Sequence, residues 1–172
     1  MAEETVQVQA EQQLVVFDLA AESYGVDINV VQSIIQMQEI TRIPRTPEFV
    51  DGVINLRGKI IPVVDSRKRF GLAEGERNSD NRIVVASIGG QDIGMVVDAV
   101  SEVLRIPMDA IEPPSSLITS QDSDYIRGIA KVEDRLVILL DLERVFTDQE
   151  KAALTEATLM EGDLAATDVQ GS

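Results

Sequence analysis

The chain has 172 residues, 44% of them apolar, and a mean hydropathy of +0.04, as expected of a soluble globular protein with one domain or two small fused ones. Histidine, cysteine and tryptophan are absent, which excludes zinc sites, thiol nucleophiles, the Ser-His-Asp triad and disulfide frameworks. Thirty acidic against fifteen basic residues leave a formal charge of −15, so no nucleic-acid partner is expected. The first five residues, MAEET, offer neither a basic nor an apolar leader region. No apolar run approaches the roughly 20 residues of a membrane span. A cytoplasmic protein without direct membrane insertion is expected.

In chain order, residues 1–12 read as a disordered tail, followed by a first strand over 14–19 (LVVFDL). Short helical turns are expected near 29–35 and 47–50. The apolar runs 52–56 and 59–64 read as strands joined by a tight Arg57-Gly58 turn. Gly89-Gly90 closes a hairpin after the run 82–88, and Glu133-Asp134 leads into the run 135–140. Thr147 and Glu150 form a capping box that opens a helix to about residue 160. Residues 161–172 are acidic and small, and a disordered tail is expected there.

An internal repeat organises these elements. Residues 52–70 align with 128–146 at an offset of 76, so Asp65 meets Asp141 and Phe70 meets Phe146. A second block aligns 24–26 with 93–95 at an offset of 69, and Val31, Ile34 and Ile35 with Val100, Val103 and Leu104. Two copies are too few for a solenoid, and halves of about seventy residues are small enough to need a shared apolar seam. A mainly β fold of two related subdomains, with a binding groove at the seam, is the expectation.

Asp65 and Asp141 each follow an apolar strand and precede a short polar stretch. They are read as caps of helical turns, ahead of a role as paired acid–base carboxylates. There is no Walker loop, dinucleotide fingerprint or nucleophile elbow, and Asp122 with Asp124 lacks the rest of a calcium loop. Charge is unevenly spread: residues 42–69 hold seven basic and three acidic side chains, a local +4. That stretch suits an acidic protein partner. Arg57 stands out, because a tight turn fixes the direction in which its guanidinium leaves the backbone.

The segments LVVF (14–17), YGVDI (24–28), TRIPRTPEF (41–49) and GVINLRGKIIPVVD (52–65), in this order and spacing, closely resemble the CheW family of chemotaxis coupling proteins. VVDAVSEV (96–103) and DYIRG (124–128) extend the resemblance across roughly residues 13–160. It implies a mainly β fold of two intertwined five-stranded SH3-like barrels, with short helices and a C-terminal helix. The implied bounds are 13–147 for the CheW-like domain, with halves 13–80 and 81–147 that exchange elements, and 148–160 for the helix. It also implies a non-enzymatic adaptor, without cofactor or metal, that couples chemoreceptor cytoplasmic tips to the regulatory domain of the histidine kinase CheA. Further copies of the chain are possible partners in arrays at the inner face of the membrane. Carried over by position, the receptor contact involves Arg57, Val31 and Ile34. The kinase contact involves Ser33 and Ile34 on one barrel and Glu112 and Leu117 on the other. Ser33 stands where the family has an acidic residue, and Leu117 where it has an aromatic one. The spacing alone leaves open which of Val31, Ile34 and Ile35 is exposed. Two other readings are a coupling protein of a pilus-motility or other chemosensory-like pathway and, from a different class, a small β-barrel enzyme using Asp65 or Asp141. A fused response-regulator domain is not expected after Phe146.

Overall fold

The computed structural model describes residues 11–113 and 125–171. Eleven strands run in chain order through these residues: β1 (Glu11–Leu19), β2 (Glu22–Asp27), β3 (Val31–Gln36), β4 (Val50–Leu56), β5 (Lys59–Asp65), β6 (Arg82–Ile88), β7 (Gln91–Val97), β8 (Ala99–Pro107), β9 (Ile111–Glu112), β10 (Ile126–Val132) and β11 (Arg135–Leu140). Two one-turn helices follow β5 and β11, α1 (Ser66–Arg69) and α2 (Leu142–Val145), and α3 (Asp148–Gly171) ends the chain.

The strands form two sheets, and each draws on both halves of the repeat. One has the order β3-β6-β7-β5-β4 (here barrel I) and the other β8-β1-β2-β11-β10-β9 (barrel II). The hairpin β1–β2 of the first half therefore sits in the second half's sheet, and β6–β7 sits in the first half's. The exchange is symmetric down to register: β7 runs parallel to β5 with Gly94 opposite Val63, and β2 runs parallel to β11 with Gly25 opposite Leu139. Barrel II has six strands rather than five, because the two-residue β9 pairs with β10.

The exchange explains why the hairpin strands read as continuous apolar runs. A strand alternates its side chains, so it is apolar throughout only when both faces are covered. On β1, Leu14 and Val16 fill barrel II while Val15, Phe17 and Leu19 face the seam. On β6, Ile83 and Val85 fill barrel I while Val84, Ala86 and Ile88 face the same seam. Two aromatic pairs close the seam, Phe49 with Phe146 and Phe70 with Tyr125, at ring separations of 5.7 and 5.0 Å. The repeat offset of 76 converts one pair into the other.

The two-residue hairpin loops take the left-handed backbone that matches the strand twist. Arg57 and Gly58 have φ of 55° and 86°, and Gly89 and Gly90 have 60° and 82°. Gly52 and its repeat partner Gly128 sit at bulges in β4 and β10 where another backbone crosses closely. A Cβ on Gly52 would lie 2.1 Å from the Thr41 carbonyl oxygen, and one on Gly128 would lie 2.6 Å from that of Glu112.

Three expectations are corrected. Residues 29–35 are not a helical turn: a single 3-10 turn, Ile28–Val30, capped by the Asp27 carboxylate, gives way to β3. Residues 47–50 form a turn into β4 without a helix. The capping box is present, with the Thr147 N–H donating to Glu150 Oε1 at 2.8 Å and the Glu150 N–H to Thr147 Oγ1 at 3.1 Å. The helix it opens does not stop near 160, however, but continues to Gly171 where a disordered tail was expected. No proline interrupts these 24 residues, and alanine, leucine, methionine and glutamate favour the helix. Its first turns pack across β4 and β5 of barrel I, burying Leu154 and Ala157. The N-terminal tail expected over 1–12 falls mostly outside the described residues, and β1 already begins at Glu11.

Candidate functional site

The Arg57 turn is built by its neighbours. Asn55 Oδ1 accepts the Gly58 N–H at 2.8 Å, which locks the loop, and Lys59 pairs with Asp92 on β7 at 2.8 Å. Arg57 itself is exposed, and among the described residues its side chain makes no hydrogen bond or ion pair. The locked turn fixes the backbone from which this guanidinium leaves, and among the described residues its donors are available to a carboxylate.

Next to this turn comes the end of β3. Gln38 Nε2 donates to the Asn55 carbonyl at 3.3 Å, bringing the segment after β3 against the β4–β5 hairpin. Ile34 precedes Gln38 by four residues, so the two Cα atoms lie within about 14 Å of each other. Side chains alternate along β3: Val31, Ser33 and Ile35 are half-buried, whereas Gln32, Ile34 and Gln36 are exposed. This settles which apolar residue faces outward. Ile34 is 40% exposed, while Val31 packs against the seam and Ile35 against the interior of barrel I.

Among the described residues β3 pairs with β6 only, so one edge of its backbone is also open. Arg57, Ile34 and this edge therefore share barrel I. Ser33 lies on the opposite side of the strand from Ile34 and is half-buried. Glu112 is exposed on β9 of barrel II, apart from the others, and Leu117 lies outside the described residues. Val103, 51% exposed on β8, was assigned no binding role from sequence. It is the repeat partner of Ile34 at the offset of 69, and that alignment is the signal that could have found it.

The carboxylates considered for catalysis are structural. Asp65 Oδ1 accepts the Lys68 N–H at 3.2 Å, and its Oδ2 lies 3.3 Å from Arg77, which also pairs with Asp51. Asp141 accepts the Glu143 N–H at 3.1 Å and lies 3.7 Å from Arg144. The hollow of about 400 Å³ beside Asp65 is lined by Asp51 and Asp65, both paired with Arg77, and by Glu74, paired with Lys68. Asp98 is the carboxyl whose acidity shifts most clearly. Arg67 hydrogen-bonds to it through Nε at 2.9 Å and, with the Ala20 N–H also donating at 2.9 Å, holds its pKa below the usual carboxylate range. This clamp ties α1 to the β1–β2 turn of the other barrel. Among the described residues no cluster of three or more candidate metal ligands occurs, and no helix is long and apolar enough to cross a membrane.

Residues 13–150 match the family model described as CheW-like domain. The chain is 35% identical over 141 residues to the chemotaxis protein CheW of Klebsiella aerogenes, covering 82% of this chain and 85% of that protein. It is 32% identical over 142 residues to the chemotaxis protein CheW of Treponema pallidum, covering 80% and 84%. The crystal structure of the scaffolding protein TtCheW from Thermoanaerobacter tengcongensis matches with a TM-score of 0.75 and 45% identity, over 81% of this chain and 94% of that one. The two exchanged sheets are thus the two SH3-like barrels of that fold. The capped aspartates and the free Arg57 turn fit the same conclusion: the chain belongs to the CheW-like family, as a chemotaxis scaffold and coupling protein rather than an enzyme.

Proposed function

We propose that this chain couples the cytoplasmic tips of chemoreceptors to the histidine kinase CheA, in the cytoplasm at the inner face of the membrane. Arg57 with the outward Ile34 forms the receptor contact, with Val31 supporting it from below. The β3 edge at Ser33 and Ile34 and, on barrel II, Glu112 with Leu117 form the kinase contacts, and the two faces also allow further copies of the chain to join an array. The observation that carries this reading is an arginine without a side-chain partner among the described residues, on a locked turn of the same barrel as an exposed isoleucine on a strand edge that no described strand pairs.

Such an adaptor acts by geometry. Holding receptor and kinase together, it can shift the kinase only by its differential affinity for the two arrangements of the complex. The test is a pull-down of receptor signalling tips and of CheA with the parent chain and with R57E. Receptor capture is expected to fall about tenfold or more while the Tm stays within about 2 °C, because Arg57 is exposed and its side chain makes no hydrogen bond or ion pair among the described residues. Unchanged capture by a folded R57E chain would overturn the assignment of Arg57.

A further inference from the structure

Five non-glycine residues among those described have a left-handed backbone. Ala20, Ala21, Arg57 and Glu133 lie in tight hairpin loops, where strand twist requires it. Arg45, at φ 63°, is the exception. It lies in the connection between β3 and β4, in the turn Ile43-Pro44-Arg45-Thr46, where the Thr46 hydroxyl donates to the Ile43 carbonyl at 3.1 Å. Proline followed by a left-handed residue is the pattern of a type II turn, whose third position favours glycine or asparagine because a Cβ there is crowded. An arginine at that position strains the backbone. Among the described residues neither Arg45 nor its neighbour Arg42 has a hydrogen bond or ion pair through its side chain.

Both arginines line a hollow of about 430 Å³ against the buried Ile43 and Val50. Lys68 reaches it from α1, with the exposed Glu74 at 3.5 Å as its ion-pair partner. Asp51 also lines the hollow, but its carboxylate is taken by Arg77, and the exposed Glu48 lines it as well. Pro44 and Pro47 bracket Arg45 and fix the backbone from which its guanidinium projects, which lowers the entropy lost on binding. We propose that Arg42, Arg45 and Lys68 form a docking hollow for an acidic segment of a protein partner, separate from the Arg57 contact.

Carboxylates suit the site because two guanidiniums without an ion pair among the described residues line it together with the Lys68 ammonium, while Asp51 is paired with Arg77. The chain's total charge of −15 disfavours an extended polyanion, which would meet the acidic remainder of the surface. A short acidic segment avoids that repulsion, since charges beyond about 8 Å are screened at physiological salt.

The test uses the full chain, isotope-labelled for NMR and titrated with a hexaglutamate peptide at about 0.15 M salt. Saturable amide shifts centred on residues 41–50 and 66–68 are expected, and they should fade near 0.5 M salt. R45N is expected to weaken binding by about five- to tenfold. The same variant should raise the Tm by about 1–3 °C, because asparagine accepts the left-handed backbone more readily. R57E should leave hexaglutamate affinity within about twofold. Shifts centred on the Arg57 turn or spread evenly over the surface would overturn the proposal. So would unchanged affinity in R45N, or a Tm that falls, since the latter makes the Arg45 side chain structural.

Discussion

The two barrels share a blueprint but differ in where they put charge. Their strands, bulge glycines and seam aromatics correspond through the repeat, yet the turn that carries Arg57-Gly58 in barrel I carries Glu133-Asp134 in barrel II. The one-turn helices diverge in the same way. Ser66, Arg67 and Arg69 of α1 stand where α2 has Leu142, Glu143 and Val145, and of these four-residue helices α2 buries two residues while α1 buries one. Even the tether to the exchanged hairpin is rebuilt. In one half the Ala20 N–H reaches Asp98, itself held by Arg67; in the other the equivalent Gly89 N–H reaches Glu143 directly at 3.1 Å. Burial constrains the shared positions on both sides of each strand, so duplicated halves must keep them. The turns and the helix surfaces meet solvent, and there one half acquired the cationic groups that suit an acidic partner.

The largest effects are expected where the two halves meet the same backbone crowding with different tolerance. G52A places a Cβ 2.1 Å from a backbone oxygen at φ 146°, and should lose about 3–5 kcal/mol in urea unfolding. G128A crowds the two-residue β9, which can give way, and should lose about 1–3 kcal/mol. Equal losses would mean that the two bulges are equally rigid.

A comparable but more graded contrast concerns the seam. F146A removes a buried ring tilted against Phe49, with the Arg69 guanidinium 5.7 Å from the ring centroid, and should cost about 3–5 kcal/mol. Y125A removes the repeat-related ring, which is only half-buried, and should cost about 1–3 kcal/mol. A reversed order would show that the seam leans on the other pair.

The smallest of these effects is pH-dependent. Asp98 has a folded pKa below its unfolded value, chiefly because Arg67 hydrogen-bonds to the carboxylate. Its stabilisation is therefore fully present above the unfolded pKa of about 3.9 and is lost as pH falls through the folded value. D98N should cost about 1–3 kcal/mol at neutral pH and flatten the loss of stability between about pH 5 and pH 2. An acid slope that D98N leaves intact would place the titrating group elsewhere.

Local chemistry carried much of this into the sequence. The runs at 14–19, 52–56, 59–64, 82–88 and 135–140 all became strands, and the Arg57-Gly58 and Gly89-Gly90 turns and the Thr147–Glu150 box formed where their residue types require them. Asp65 and Asp141 announced themselves as caps because a carboxylate ending a strand finds free N–H groups ahead of it. The stretch 29–35 misled because Val31, Ile34 and Ile35 fit one face of a helix, whereas in β3 they belong to two faces, with Ile34 apolar yet turned outward. An exposed apolar residue breaks the pattern by which burial is read.

From the sequence alone, the repeat, the β character, the helix start and the singularity of Arg57 were determined, since each rests on interactions within a few residues or on a comparison of the two halves. The tertiary structure decided which hairpin joins which sheet, that Ile34 faces outward, and that Arg42, Arg45 and Lys68 converge on one hollow. The physical reason is degeneracy. The two halves present nearly the same edges and the same apolar faces, so a hairpin satisfies its local pattern equally well in either sheet. Only packing of the whole chain around the shared seam selects between them.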